Sequence, residues 1–292
     1  MITVRIKGGL GNQLFQYATA YSLAERLGQK LVLDTSFYPR QTLRGFKLGK
    51  FNITYGETTE KQTLVVEFCK SRYINMMFRK ANVPVIPCGD TSYLLETQSD
   101  IVPEFFLIDK KNIYIDGYYQ SEKYFMNCRN DLLKQISITY HNEKEFLSIL
   151  ENINMCNSVA VHVRRGDFLK AQNDNNPNHY LLKESYYHNA LRYVDEHLEN
   201  PIFFWFSDDI EWVKNNFGKK KNFRFVDLKT KNADIAELML MKNCKHIIAA
   251  NSTFSWWASW LNEYKDALHL CPAKRYGNLH MIPSNWIKIS VE

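Results

Sequence analysis

VAVHVRRGDF, residues 159–168, opens as an apolar strand and closes on two arginines, a glycine and an aspartate. A short apolar run that turns abruptly to charge reads as a buried strand delivering a loop to one end of a sheet. Side chains alternate along a strand, so Val159, Val161 and Val163 share one face, while Ala160, His162 and Arg164 share the other. Arg165 then falls opposite Arg164. Working outward, IFFWFS (202–207), FRFVDL (223–228), HIIAAN (246–251) and ALHLCP (267–272) read as further strands. Helical patterns fall between them: Tyr187, Ala190, Leu191, Val194 and Leu198 share one face within 186–198, and DDIEWVKNNFG, DIAELMLMKNC and FSWWASWLNEY fit further helices. Strands alternating with helices specify an α/β fold with a parallel sheet covered on both faces.

The N-terminal half starts in the same way. Residues 2–7 read as a strand, GGLGNQ as a loop, 12–27 as a helix, QKLVLD as a second strand and IYIDGYY (113–119) as another. Residues 40–110 carry no clear periodicity. A chain of 292 residues exceeds one ordinary core. Two domains are expected, 1–150 and 151–292, divided near NEKEFLSILENINMCN.

Composition narrows the function. Hydrophobic residues make up 45% and aromatics 14%, enough for a large core and against disorder. Thirty-seven basic against 31 acidic residues give +6, too mild for a nucleic-acid coat. The run Lys219-Lys220-Lys221 reads as a solvated turn or a weak membrane-surface contact. Six cysteines without a Cys-x-x-Cys pair suggest neither zinc nor a disulfide framework, but free thiols in a reducing compartment. MITVRIKGG enters a strand directly, and no apolar run is long enough to span a bilayer, so a cytoplasmic protein is expected.

Arg164 stands where ligands of open α/β sheets bind, and its guanidinium fork matches a phosphate. A pyrophosphate would explain it without a metal; a surface Arg–Asp ion pair would also explain it. Asp167 either orients an arginine or accepts a proton. Lys7–Gln13 follows the first strand and opens a helix, a place for backbone amides to meet phosphate or sugar. Gly9-x-Gly11 supplies two glycines of a dinucleotide fingerprint, but Leu14 occupies the third position. Asp34 lies where a ribose-binding acid would, which keeps an NAD(P)-dependent oxidoreductase open. Asn12 and Gln13 suit sugar hydroxyls better, and a plain tight turn is the remaining reading. Asn251-Ser252-Thr253-Phe254-Ser255 is a second phosphate cradle, or a helix start capped by Ser252 or Thr253. Asp208 or Asp209 reads as a helix cap, Glu237 as an exposed acid, and Trp256, Trp257 and Trp260 as packing. The sequence has no Asp-x-Asp, no Gly-x-Ser-x-Gly and no Walker loop, which weighs against metal-dependent sugar transfer, hydrolases and kinases. A non-catalytic glycan-binding module would need aromatics but no phosphate site.

Together, GGLGNQLFQYA (8–18), GYYQSEKYF (117–125), HVRRGDF (162–168), FSDDIEW (206–212) and CKHIIAANSTFSWWASWLN (244–262) resemble the bacterial α-1,2-fucosyltransferases, inverting enzymes of glycosyltransferase family eleven. The order and spacing match over most of the chain outside 40–110. The resemblance implies a GT-B fold, two Rossmann-like domains with mainly parallel sheets facing a cleft. The N-terminal domain would lie on the acceptor side and the C-terminal domain would bind the GDP-sugar. It implies transfer of L-fucose from GDP-β-L-fucose to the 2-hydroxyl of a galactoside, with no metal and no cofactor besides the donor. Partners would be GDP-fucose and a galactose-containing oligosaccharide or lipid-linked glycan, without nucleic acid and with at most peripheral contact at the inner face of the membrane.

By the same resemblance His162, Arg164, Arg165 and Asp167 form the His-x-Arg-Arg-x-Asp motif, with Arg164 on the β-phosphate. Gly9, Gly11, Asn12 and Gln13 would face the donor, Glu237 the guanine, and Ser252, Thr253 and Ser255 the phosphate. Glu237 stands where the family often has aspartate, and Ala258 where it tends to have glycine. Asp167 is the candidate base, with Glu184 or a GDP oxygen as alternatives. Acceptor specificity is expected in 40–110 and around Tyr118 and Tyr119.

Overall fold

Two six-stranded sheets divide the chain. The computed structural model describes all residues except 41–43, 58–63, 99, 139–143, 172–179, 219 and 274–278. One unit comprises Met1–Ile138 with Asn278–Ile282, and the other Thr139–Gly277 with Pro283–Glu292. The boundary expected at 150 falls inside helix Lys144–Asn154, which belongs wholly to the second unit. An amphipathic helix stays with the sheet its apolar face covers, here through buried Phe146 and Ile153.

In the first unit the strands are β1 (Ile2–Arg5), β2 (Leu31–Asp34), β3 (Gly56–Glu57), β4 (Val85–Cys88), β5 (Thr91–Leu95) and β6 (Ile113–Asp116). Their order is β3-β2-β1-β6-β5-β4, parallel except for the β4–β5 hairpin. In the second unit they are β7 (Asn157–Val163), β8 (Pro201–Ser207), β9 (Phe223–Val226), β10 (His246–Ile248), β11 (His269–Pro272) and β12 (Ile287–Ile289). These run all-parallel in the order β12-β11-β10-β7-β8-β9.

The alternation read in β7 is realised. Val159, Val161 and Val163 pack in one core cluster with Phe203 and Trp205 of β8 and with Tyr186, Tyr187, Ala190, Leu191 and Val194 of helix Glu184–His197. Leu198 lies just beyond that helix. Trp205 is fully buried, with ring centroids of Phe217 and Phe223 at 4.7 and 5.2 Å. Trp256 and Trp257 are likewise buried, so the tryptophan run is packing.

The first sheet has an unusual inner face. Arg5 of β1, Asp34 of β2, Tyr93 of β5 and Tyr114 and Asp116 of β6 bring polar groups into its interior. Asp116 accepts from Arg5 Nη1 at 2.9 Å, from Tyr93 Oη at 2.6 Å and from Asn75 Nδ2 at 3.2 Å, and also pairs with the Lys7 ammonium. Burial alone would raise its pKa; Lys7 and Arg5 outweigh that and hold the carboxyl well below the usual carboxylate range. Two helices, Leu64–Cys69 and Arg72–Lys80, lie in the stretch that showed no periodicity. Both helices are short, and in Arg72–Lys80 the arc of Tyr73, Met76 and Met77 faces outward while Asn75 turns inward to Asp116; Lys70, just beyond the first helix, reaches Asp34. No helix among the described residues is long and apolar enough to cross a membrane.

Replacing Asp116 by alanine leaves two guests of one buried carboxylate, Arg5 and Lys7, without it. The expected cost is about 3–5 kcal/mol in urea unfolding. Because the folded pKa is depressed, this stabilisation is present above the unfolded value and disappears as pH falls below it. A loss under about 1 kcal/mol would show that the two cations reach water instead.

Candidate functional site

Strand β7 sits between β8 and β10, so the second sheet reverses direction of growth between β7 and β10. Ligands of doubly wound sheets bind outside the carboxyl ends of strands at such a point. Two of the sequence motifs end there: Arg164–Gly166 after β7 and Ala249–Ser252 after β10. The rings of His162 and Phe254 meet across it at 5.5 Å.

Asp208, just after β8, organises the arginine loop. Its Oδ2 lies 2.8 Å from Arg164 Nη1, and its Oδ1 accepts the Arg165 backbone N–H at 2.9 Å. A Cβ on Gly166 would stand 2.9 Å from Asp208 Oδ2, so glycine is needed for the approach of this carboxylate rather than of a ligand. Asp209 is the helix cap expected of this pair: it accepts from the Trp212 N–H at the start of helix Ile210–Phe217.

The two arginines therefore differ. Arg165 lies 3.6 Å over the Trp212 ring and places its Nε 3.3 Å from Asp209, so both groups brace it. Arg164 keeps 21% of its side chain exposed at the strand end. His162 is 3% exposed, and its Nδ1 has no hydrogen-bond partner among the described residues. Burial first, then the Arg164 charge, lowers its pKa to about 3, against an opposing pull from Asp208. The imidazole is thus neutral at physiological pH. The backbone of Asp167 lies in the short helix Gly166–Ala171, but its side chain is outside what is described. Glu184 is exposed in the first turn of its helix.

On the β10 side, Ser252 caps helix Thr253–Trp260 by accepting from the Phe254 N–H at 3.2 Å. Ser255 is fully buried, and its hydroxyl accepts the Ala250 N–H at 3.1 Å, which secures the turn. Thr253 remains half-buried at the helix start. Glu237, expected to be exposed, is half-buried in helix Ala233–Asn243. Burial, then Asp234, Asp227 and Asp208, raise its pKa to about 8. It therefore shares an electrostatic neighbourhood with the partner of Arg164.

The first unit repeats the pattern: β1 lies between β2 and β6, and the glycine loop follows it. Gln13 is fully buried, donating to the Gly8 and Gly45 carbonyls at 3.1 and 2.9 Å and accepting the Lys47 N–H at 2.9 Å. It holds the loop together. Gly11 is buried in the first helical turn. A Cβ on Gly9 would meet Arg44 Nη1 at 2.2 Å, so this glycine admits an arginine. Asn12 accepts from Gln120 Nε2 at 2.8 Å, tying the loops after β1 and β6 together. Asp34 is buried and salt-bridged to Lys70 at 2.8 Å, which removes the ribose-binding acid of the dinucleotide reading.

One device escaped the sequence altogether. Glu96 accepts the backbone N–H groups of Tyr118 and Tyr119, each at 2.7 Å, beneath a glycine whose Cβ would lie 2.4 Å from its own. Tyr119 is buried at φ 49°, and Tyr118 is left 38% exposed beside the Lys7 ammonium. Long-range pairing of β5 with β6 creates this clamp; only Gly117 hints at it.

The model of Glycosyl transferase family 11 matches residues 1–281. An alpha-1,2-colitosyltransferase of Escherichia coli is 30% identical over 300 residues, 99% of each chain. The O-antigen biosynthesis glycosyltransferase WbnK of Escherichia coli is 30% identical over 308 residues, 97% of this chain and 99% of that one. The galactoside 2-alpha-L-fucosyltransferase Sec1 of Mus musculus is 22% identical over 277 residues, 89% of this chain and 64% of that one. Among solved structures, the NodZ alpha-1,6-fucosyltransferase of Bradyrhizobium, soaked with GDP-fucose, superposes with a TM-score of 0.52 at 14% identity, covering 89% of this chain and 92% of that one. The likeness shows the fold: α/β, of the GT-B class, with two mainly parallel sheets.

His162 gives a pH test of this geometry. The unfolded imidazole takes a proton near pH 6.5, whereas the folded one resists it down to about 3. Stability should therefore fall as pH drops through that window, by at most about 1.4 kcal/mol per pH unit. Urea midpoints between pH 7 and 4 should fall less steeply for His162→Gln than for the wild type; parallel slopes would refute the buried neutral imidazole.

Proposed function

The chain belongs to glycosyltransferase family 11, and from that premise we propose that it is an inverting α-1,2-fucosyltransferase. It moves L-fucose from GDP-β-L-fucose to the 2-hydroxyl of a galactoside, on an oligosaccharide or lipid-linked glycan of surface-polysaccharide synthesis. The observation that carries this reading is Arg164, partly exposed at the switch point and fixed there by Asp208. The names of the relatives support the transfer of a 6-deoxy sugar and the O-antigen setting.

As the donor C1–O bond loosens toward an oxocarbenium-like state, negative charge grows on the β-phosphate. Arg164 stabilises it without reorganising, because Asp208 has already set the guanidinium. That positive charge does the work otherwise given to a metal, so neither metal nor cofactor is needed. Thr253 and the free amides of its helix start support the phosphates. Glu237 accepts from the N1–H and amino group of guanine, which favour its ionised form against burial and its acidic neighbours. The acceptor hydroxyl attacks from the opposite face of the sugar and loses its proton late, to Asp167 as base. The first unit supplies the acceptor side, with Tyr118 its accessible aromatic.

A second donor has a specific observation behind it. Two relatives match at 30% identity, and one of them is named a colitosyltransferase. A guanidinium on a phosphate does not distinguish fucose from colitose, so the sugar is read elsewhere.

Incubation with GDP-fucose or GDP-colitose and a panel of galactosides, with and without EDTA, tests the reading. Fucosylation at the 2-hydroxyl that persists in EDTA is expected, and exclusive use of the colitose donor would replace the donor assignment. Arg164→Ala should lose about 3 kcal/mol of transition-state stabilisation, on the order of 10²-fold in turnover. Turnover near the wild-type value in that variant would reject the role of Arg164. Asp167→Asn should lose transfer but keep GDP affinity; equal loss of both makes Asp167 a partner of the arginines rather than the base.

A further inference from the structure

The two helices beside the first sheet pack Val66, Cys69 and Phe78 inward against Tyr93 and Tyr114, yet expose several other large apolar side chains. In helix Arg72–Lys80, Asn75 donates inward to Asp116 and to the Tyr93 hydroxyl, and Arg79 donates to Asn75. Arg72, Tyr73, Met76, Met77 and Lys80 are exposed, and at 100° per residue they fill one continuous arc of the helix. Helix Leu64–Cys69, which packs beside it, buries Val66 and Cys69 and exposes Leu64, Val65 and Phe68. Leu64 is 89% and Tyr73 67% exposed. Among the described residues no other stretch of this length shows so many large exposed apolar side chains. Scattered exposed apolar residues need no explanation, but a cluster on neighbouring helices marks a surface that meets something apolar.

The charges say what it meets. Glu67 is tied to Lys70, whose ammonium also holds Asp34 and is largely buried. Arg72 and Lys80, the first and last residues of their helix, are both exposed, Arg72 at one edge of the arc and Lys80 within it. Apolar side chains flanked by accessible cations suit a bilayer with anionic headgroups, where the aromatic and thioether groups enter the interface and the cations meet phosphate. A second copy fits less well, because a two-fold contact through this face would set like charges against one another.

We propose that the outward face of helices Leu64–Cys69 and Arg72–Lys80 docks the protein on an anionic lipid surface. The docking is peripheral and reversible, and does not depend on which sugar the enzyme transfers. It would bring the first unit to a membrane on which a lipid-linked acceptor resides.

The test is co-sedimentation of the full chain with phosphatidylglycerol vesicles and with phosphatidylcholine vesicles at low salt. The wild type should bind the anionic vesicles roughly ten-fold more strongly, and added salt should weaken that binding. The variant Tyr73→Ser, Met76→Ser, Met77→Ser and, separately, Arg72→Glu with Lys80→Glu should each lose about ten-fold. Phe68→Ser, on the other helix, gives an independent reading. Circular dichroism melts should stay unchanged, since these side chains are exposed. Wild-type protein that stays in the supernatant with both vesicles overturns the proposal, as does wild-type binding by the folded variants. So does a wild-type dimer in sedimentation velocity that the serine variant abolishes, since the face would then belong to a second copy.

Discussion

One carboxylate, that of Asp208, sets the site in the second unit. One oxygen pairs with the Arg164 guanidinium, the other accepts the Arg165 amide, and the glycine that follows leaves room for it. The pair is only partly exposed, so its attraction is screened less than a surface ion pair would be. Its effect is mainly geometric. It fixes the course of the backbone just beyond β7, and so turns two adjacent arginines to different ends: Arg165 onto Trp212 and Asp209, Arg164 to the carboxyl edge of the sheet. A preorganised cation is what a developing phosphate charge requires, because nothing then has to move during the reaction.

The first unit uses carboxylates in a similar way. Asp116 collects Arg5, Lys7, Tyr93 and Asn75 at the end of β6; Glu96 clamps the two amides that follow Gly117; Asp34 holds Lys70 and Tyr114. Buried charges of this kind are tolerated only when paired and hydrogen-bonded. That requirement has a consequence at a distance. Asn75 of helix Arg72–Lys80 and Lys70, between the two helices, turn inward to satisfy Asp116 and Asp34, while Tyr73, Met76 and Met77 face outward.

Glycine and glutamine positions illustrate how much a motif conceals. Gly9, Gly11, Asn12 and Gln13 stand out in the sequence as one ligand-facing loop. In the fold they have separate duties: Gly9 admits Arg44, Gly11 is packed, Asn12 binds Gln120 and Gln13 laces the loop to 45–47. Ser252 and Ser255 divide similarly, into a cap and a buried turn lock. A polar side chain next to a strand end has two kinds of suitor, ligand and backbone, and residue type alone does not separate them.

By itself, the sequence determined the α/β alternation, the strands of the second sheet other than β12, the face-by-face alternation in β7 and the position of the arginine and serine motifs at strand ends. Those features follow from local periodicity, which depends only on neighbouring residues. The order of strands, and with it the switch points beside β7 and β1, came from long-range pairing that no local pattern encodes. The Asp208 clamp, the Glu96 clamp and the raised pKa of Glu237 likewise join residues far apart in the chain. The helices between 64 and 80 were illegible because they span only 6 and 9 residues and carry large apolar side chains on exposed as well as packed faces. Tertiary structure decided which polar residues were left to act, because burial and pairing first claim the ones the fold itself needs.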